Sequence, residues 1–223
     1  MSPVRILSLN AFLRPPGINT NGCDYKDLRE VFAFGSSRKS KIVKAAKAIG
    51  FTYSATTPGI GRLISPVDAG LLILSKFEIR SFFWKILPLG WYADRLASKS
   101  FLHAEILLPG EKIIHLITTH LQSTPPSSKD SSKYKKIRDS QCKAIREYIY
   151  EFIIKDPEIH HDPILLVGDL NIDGRASHDS EYKEIFQKYF SEFTDLLLKP
   201  CSREPLEAQL SNVKICDKML QTP

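Results

Sequence analysis

An apolar segment followed at once by closely spaced polar residues constrains the fold of this chain most. Residues 163–167 form a short apolar run, and Gly168-Asp169-Leu170-Asn171 follows it directly. Side chains alternate along a strand, so Asp169 and Asn171 are expected on the same side of the strand line. Open α/β sheets place their chemistry at the carboxyl ends of such strands. Taken alone, the motif also fits an ordinary turn, because Gly, Asp and Asn are common turn residues.

A second apolar segment ends in the same way. Residues 113–117 are apolar except for His115 and lead into Thr118-Thr119-His120-Leu121-Gln122. A single histidine is more often structural, but His120 at a strand end, followed by Leu-Gln-Ser, favours a functional site. The two segments together therefore predict one catalytic site that contains His120, Asp169 and Asn171.

The composition is that of a folded protein with a charge that suits phosphate-bearing partners. The chain has 223 residues, 43% hydrophobic and 25% charged, which indicates one large domain or at most two small ones. The net charge of +6 favours a phosphate-bearing partner, although many soluble proteins are equally basic.

No apolar run is long enough for a transmembrane helix, and no signal-peptide pattern opens the sequence, so we expect a cytoplasmic protein, with peripheral membrane association as an option. The four cysteines are widely spaced and support neither a zinc site nor a disulfide framework.

The hydrophobic patterns predict a mixed α/β fold. Strands are expected at residues 5–10, 69–75, 101–107, 112–119 and 163–167, and helices at residues 40–49, 136–154 and 180–189. Several strands are neighbours along the chain, which favours hairpins beside helical crossovers. The pattern indicates a mixed sheet, or two packed sheets, flanked by helices.

The order of five segments resembles the endonuclease/exonuclease/phosphatase superfamily, with neutral sphingomyelinases as the most similar branch. The five segments are Ser8-Leu9-Asn10, Arg29-Glu30-Val31-Phe32, residues 68–77, the His120 segment and the Asp169/Asn171 segment. Residues 93–104, which read ADRLASKSFLHA, are similar to the pattern of the sphingomyelinase branch. Thr119-His120-Leu121-Gln122-Ser123, followed by Arg138 and Gln141, is similar to it as well.

The resemblance implies a single domain over residues 1–223, built as two packed mixed β-sheets flanked by helices in a four-layer sandwich. It implies a metal-dependent phosphodiesterase that hydrolyses sphingomyelin to ceramide and phosphocholine, with Mg²⁺ or another divalent cation neutralising charge on the phosphoryl group. The implied partner is a phospholipid or sphingolipid at a membrane surface. The implied roles are metal binding for Asn10 and Glu30, activation of water for Asp169, hydrogen bonding to phosphoryl oxygens for His120 and Asn171, and phosphate contact for Lys99.

The sequence also departs from the pattern of the family. Residues 24–29 lead almost directly to Glu30, where the family has a helix and a buried strand, and Arg29 and Ser100 stand where Gln and Gly are usual. No Asp-His pair follows Asn171 at a suitable position. These departures predict a truncated domain, incomplete near residue 28 and at the C-terminus, with weak or absent activity.

Two other functions are kept open. One is a nuclease of the same superfamily, with nucleic acid as the less favoured partner, and the other is a non-catalytic binding protein. A group of aromatic residues, namely Phe82, Phe83, Trp84, Trp91 and Tyr92, fits core packing best, with contact to a membrane interface as the alternative.

Overall fold

The computed structural model describes residues 4–8, 38–58, 67–68, 70–125, 128, 130–174, 180–196 and 214–216. The predicted metal ligands Asn10 and Glu30 lie outside these ranges. The sequence near residue 28 and the residues after 216 also lie outside them. Expectations about those segments therefore remain predictions.

The described elements are three α-helices and ten strands, and seven of the strands lie between the first and second α-helices. The helices are α1 (Arg38–Ala48), α2 (Ser132–Ile149) and α3 (Ser180–Tyr189). The strands are β1 (Tyr53–Thr56), β2 (Val67–Asp68), β3 (Leu72–Ser75), β4 (Glu78–Ile86), β5 (Ala97–Ser98), β6 (Ser100–Leu108), β7 (Lys112–His120), β8 (Ile164–Asp169), β9 (Thr194–Asp195) and β10 (Lys214–Cys216). A 3₁₀ turn spans Tyr92–Leu96, and a π-helical turn at Tyr150–Ile154 extends α2.

The main sheet has six strands in the order β4-β6-β7-β8-β10-β9. β4, β6 and β7 pair antiparallel as successive neighbours, whereas β8 runs parallel to β7 and β10 runs parallel to both β8 and β9. In the parallel register, Thr119 lies beside Gly168 and His120 lies beside Asp169. The two segments that the sequence singled out therefore end next to each other.

Both faces of this sheet are covered by apolar side chains. On one face, Phe101, Ile117 and Leu166 pack against residues of α2 and of the α3 region, including Ile145 and Phe190. On the other face, residues of β6, β7 and β8 pack against the antiparallel pair of β1 and β3, and α1 contacts β3. Burial on both faces explains why the central strands are rich in apolar residues and do not alternate strictly between apolar and polar positions. The predicted α/β class, with packed sheets and flanking helices, is confirmed.

Some element boundaries differ from the prediction for identifiable reasons. Residues 4–8 adopt no regular secondary structure, and Ile6 and Leu7 are exposed, so the strand predicted at residues 5–10 is wrong over its described part. α2 begins four residues before its predicted start. There the Asp130 carboxylate accepts hydrogen bonds from the backbone N–H and the hydroxyl of Ser132, which satisfies a donor at the helix start.

The core-packing prediction for the aromatic group is wrong for most of its members. Phe82 and Phe83 are exposed on β4, and Trp91 and Tyr92 are exposed near the 3₁₀ turn. Trp84 is half-buried against the cluster between the two sheets. Among the described helices, none combines the length and apolar character needed to cross a bilayer.

Candidate active site

The candidate site forms where β7 and β8 end. The His120 Nε2 and Asp169 Oδ2 atoms are 3.8 Å apart, with the two side chains 26% and 18% exposed. The Leu121 N–H donates to the Asp169 carbonyl at 2.9 Å, so the parallel pairing continues past His120. The pair is held by backbone geometry and is open to solvent on one side.

Gly168 allows the two strand ends to come this close. Its φ of +124° lies in a region that favours glycine, and a Cβ atom there would overlap the Thr119 carbonyl oxygen. The glycine in the Gly168–Asn171 motif is therefore a requirement of strand pairing, and it places Asp169 beside His120.

Asn171 completes a tight turn behind Asp169. Its φ is +55°, in the left-handed region that asparagine tolerates. Its backbone N–H donates to Asp169 Oδ1 at 2.9 Å, and its Nδ2 donates to the Leu121 carbonyl at 2.9 Å. The motif is thus both a turn and part of the site, and the turn fixes the direction of the carboxylate.

Lys99 contributes a buried cation. Its side chain is almost fully buried, and its Nζ lies 3.2 Å from Asp94 Oδ1. Burial lowers the pKa of Lys99, while the charges of Asp94 and Asp169 act in the opposite direction. The negative charge of Asp169 therefore also acts on the Lys99 ammonium, and contact of Lys99 with a phosphate stays a prediction.

Asp94 is a site residue that the sequence analysis did not select. It lies in the 3₁₀ turn, and its Oδ2 accepts hydrogen bonds from Gln122 Nε2 at 2.9 Å, from Ser123 N–H at 2.7 Å and from Ser123 Oγ at 2.8 Å. The signal was a carboxylate five residues before Lys99 within the segment at residues 93–104. Strand periodicity does not reveal that this turn folds back toward the end of β7.

The site favours an uncharged imidazole. Burial, followed by the positive charge of Lys99, lowers the pKa of His120 to about 4, and the carboxylates of Asp169 and Asp94 offset this only in part. At neutral pH, His120 therefore has one N–H donor and one acceptor nitrogen. It can donate to a phosphoryl oxygen without carrying a charge.

A buried network on α2 and α3 supports the loop after His120. Gln122 N–H donates to Gln141 Oε1 at 2.9 Å, and Arg138 donates to the Gln122 carbonyl at 3.0 Å. Arg138 also makes a two-point contact with Glu181 of α3, at 2.6 and 2.9 Å. Arg138 and Gln141, noted in the sequence through the resemblance, thus position the strand end.

Neither of the predicted metal ligands, Asn10 and Glu30, is among the described residues. Within the described ranges, no group of three or more His, Cys, Asp or Glu residues is arranged to hold a metal ion. Asp169 and Asn171 supply oxygen atoms of the kind that Mg²⁺ prefers, but two such residues do not complete a coordination shell. The structure brings His120, Asp169 and Asn171 together, and Lys99 feels the charge of Asp169. The roles of these residues, like those of Asn10 and Glu30, remain predictions.

Comparisons with known proteins agree with the geometry. A sphingomyelinase of Dictyostelium discoideum is 35% identical over 176 residues, which cover 68% of this chain and 38% of that protein. The solved structure of sphingomyelinase C from Streptomyces griseocarneus has a TM-score of 0.56 and 26% identity, over 71% of this chain and 54% of the other. A Staphylococcus aureus beta toxin variant, solved with bound magnesium ions, has a TM-score of 0.55 and 21% identity, over 72% and 57% of the two chains.

These similarities are partial in length. The chain spans about two fifths of the Dictyostelium protein and about half of the solved structures. No protein-family model matches the sequence. Sequence and fold agree across these relatives: the chain is similar to sphingomyelinases, which supports the predicted resemblance to the endonuclease/exonuclease/phosphatase superfamily.

Proposed function

We propose that this chain is the core of a metal-dependent phosphodiesterase that hydrolyses sphingomyelin to ceramide and phosphocholine. The observation that carries the proposal is the His120–Asp169 pair at neighbouring strand ends. The charge of Asp169 also acts electrostatically on the buried Lys99 ammonium. The similarity to the Dictyostelium sphingomyelinase supports the choice of a sphingolipid substrate.

The residues of this chain suit attack of water on a phosphodiester. Asp169 orients the water and accepts its proton as the oxygen bonds to phosphorus. The P–O bond to ceramide breaks, and the ceramide oxygen takes up a proton from solvent, to which Asp169 afterwards releases the proton that it accepted. His120, neutral at physiological pH, donates its N–H to a phosphoryl oxygen, and the remaining amide hydrogen of Asn171 does the same. The positive charge of Lys99 stabilises the negative charge that grows on these oxygens.

A divalent cation is part of the proposal. The beta toxin variant solved with magnesium ions supports Mg²⁺ as the candidate, and Asn10 and Glu30 are the residues predicted to bind it. When bound, the cation would supply charge neutralisation at the phosphoryl group. We also infer that the protein works as a peripheral protein at a membrane surface, where its lipid substrate lies.

The test is release of phosphocholine from sphingomyelin in detergent micelles by the purified 223-residue chain, with Mg²⁺ or with a chelator. We expect measurable but low turnover that needs the cation, and a loss of about a hundredfold or more in Asp169→Asn and His120→Ala, because each removes a group that acts in the transition state. Turnover that Asp169→Asn leaves unchanged would contradict the proposed role of this site.

Two parallel measurements separate the alternatives. Cleavage of duplex or abasic DNA, without sphingomyelin hydrolysis, would replace the proposal with a nuclease. Calorimetric binding of Mg²⁺ without turnover on either substrate would replace it with a non-catalytic binding protein.

A further inference from the structure

Three large apolar side chains are exposed together on one short turn. Trp91, Tyr92 and Leu96 are 41%, 67% and 55% exposed, and they lie within six residues of sequence. Single exposed apolar residues are normal on a protein surface, but a contiguous group marks a surface that binds something apolar. We call Trp91, Tyr92 and Leu96 the aromatic turn.

The aromatic turn is fixed to the site by its backbone. Gln122, which is buried two residues after His120, accepts a hydrogen bond from Trp91 N–H at 2.6 Å and donates to the Trp91 carbonyl at 3.3 Å. Gly90 packs so tightly that an added Cβ would lie 2.7 Å from the Asp94 carbonyl oxygen. These contacts hold the exposed side chains beside the end of β7 that carries His120.

The backbone of Tyr92 is itself unusual. Its φ is +58°, a left-handed conformation that is uncommon for an aromatic residue and that persists only where the surroundings enforce it. Strain of this kind at an exposed tyrosine is typical of functional surfaces. The Tyr92 side chain is mostly in solvent, so the contacts of the neighbouring backbone at Gly90 and Trp91 hold this conformation.

The charges next to the aromatic turn point to an anionic occupant. The Lys133 ammonium lies 3.0 Å from the centroid of the Trp91 ring, and Arg95 lines a shallow depression together with Trp91 and Tyr92. Asp94, in the same turn, faces inward to Lys99 and Ser123, and Asp130, exposed three residues before Lys133 in sequence, accepts hydrogen bonds from Ser132. Tryptophan and tyrosine beside basic groups suit the headgroup layer of a membrane, where the rings contact acyl chains and the cations contact phosphates.

We propose that the aromatic turn, with Arg95 and Lys133, docks on a membrane surface that contains anionic phospholipid. Docking there would place the His120–Asp169 site against the bilayer. The inference rests on the proposed function insofar as a lipid substrate gives this contact its purpose, but the contact itself is measurable without any substrate.

The sequence provides a direct probe, because the only tryptophans of the chain are Trp84 and Trp91. Trp84→Phe leaves Trp91 as the single fluorophore of the full 223-residue chain. With phosphatidylcholine–phosphatidylserine vesicles that lack sphingomyelin, we expect a blue shift of Trp91 emission and quenching by brominated lipid. Vesicles of phosphatidylcholine alone should give a weaker response.

A matched pair of variants assigns the contact to this turn. Tyr92→Asn keeps a residue that tolerates positive φ and should lower vesicle partitioning about tenfold, since it removes one large apolar contact. Tyr150→Asn is the control. Tyr150 is also exposed, and the centroid of its ring lies 5.5 Å from the Arg146 guanidinium and 5.2 Å from the Lys155 ammonium. It lies on the π-helical turn and not on the aromatic turn. Replacing both Arg95 and Lys133 by Gln should remove the preference for phosphatidylserine.

Three results would overturn the inference. The first is unchanged Trp91 emission with vesicles, which would point to a protein partner for the aromatic turn. The second is an equal loss of partitioning in both tyrosine variants. The third is a preference for phosphatidylserine that persists without Arg95 and Lys133. The micelle assay of phosphocholine release judges the proposed function separately, because it does not depend on vesicle binding.

Discussion

At the scale of single residues, the site is defined by the balance of charge around His120. The pKa of His120 is lowered by burial and then by the Lys99 ammonium, while the carboxylates of Asp169 and Asp94 act the other way. Two neighbours of opposite sign, Lys99 and Asp94, also contact each other at 3.2 Å. Their separate influences on His120 can therefore be tested by removing one charge at a time.

We expect Lys99→Met to raise the pKa of His120 from about 4 toward its ordinary value of 6.5, because a nearby positive charge is removed. Asp94→Asn should move the pKa in the opposite direction, because it removes a negative charge that favours the imidazolium. NMR titration of the His120 ring protons measures both shifts. Shifts of the same sign in the two variants would contradict this electrostatic assignment.

At the scale of elements, the site depends on the close pairing of β7 and β8. Gly168 has no room for a side chain against the Thr119 backbone. Behind the strand ends, Arg138 and Glu181 join α2 to α3 and hold the Gln122 carbonyl. The strands thus set the spacing between His120 and Asp169, and the helices hold the loop that follows.

We expect Gly168→Ala to destabilise the fold by roughly 3 kcal/mol, because the methyl group overlaps backbone and the φ of +124° is strained for alanine. Gly50→Ala is the matched control. Gly50 also has a positive φ, of +94°, but only the end of the flexible Lys76 side chain lies near its Cβ position. The control should lose only about 1 kcal/mol. Urea unfolding measures both, and equal losses would show that backbone strain, not the contact with Thr119, determines the effect.

At the scale of the whole molecule, the sequence predicted the parts governed by periodicity and by local turn chemistry. The ends of β7 and β8, and hence His120, Asp169 and Asn171, were predicted because apolar runs stop abruptly there. Asp94 was missed because its direction depends on how a 3₁₀ turn packs against Gln122 and Ser123, which are distant in sequence. β4 was missed because most of its residues, Phe82 and Phe83 among them, are exposed on an outer strand and show no simple alternation.

The main sheet also encloses a histidine chain that lies apart from the site. His103 Nδ1 is 2.8 Å from the Tyr148 hydroxyl, and His103 Nε2 is 3.0 Å from His115 Nδ1. Burial, together with the charge of His115, lowers the pKa of His103 to about 3, and burial also lowers the pKa of His115. Both rings are therefore neutral in the folded protein at physiological pH.

We expect the stability of the fold to fall as the pH drops below about 6.5, the ordinary value for histidine in the unfolded chain, and to keep falling toward about 3. The unfolded chain binds protons in this window, whereas His103 in the folded chain does not. At pH 5, the loss of folding free energy from His103 is about 2 kcal/mol.

His103→Phe should lower stability at neutral pH, because the Tyr148 hydroxyl and His115 lose a partner, but it should flatten the dependence of stability on pH. His160→Gln, at an exposed histidine, should leave the dependence unchanged. Urea midpoints measured from pH 7 to pH 5 test this, and a His103→Phe curve as steep as that of the unmodified chain would exclude His103 as the source.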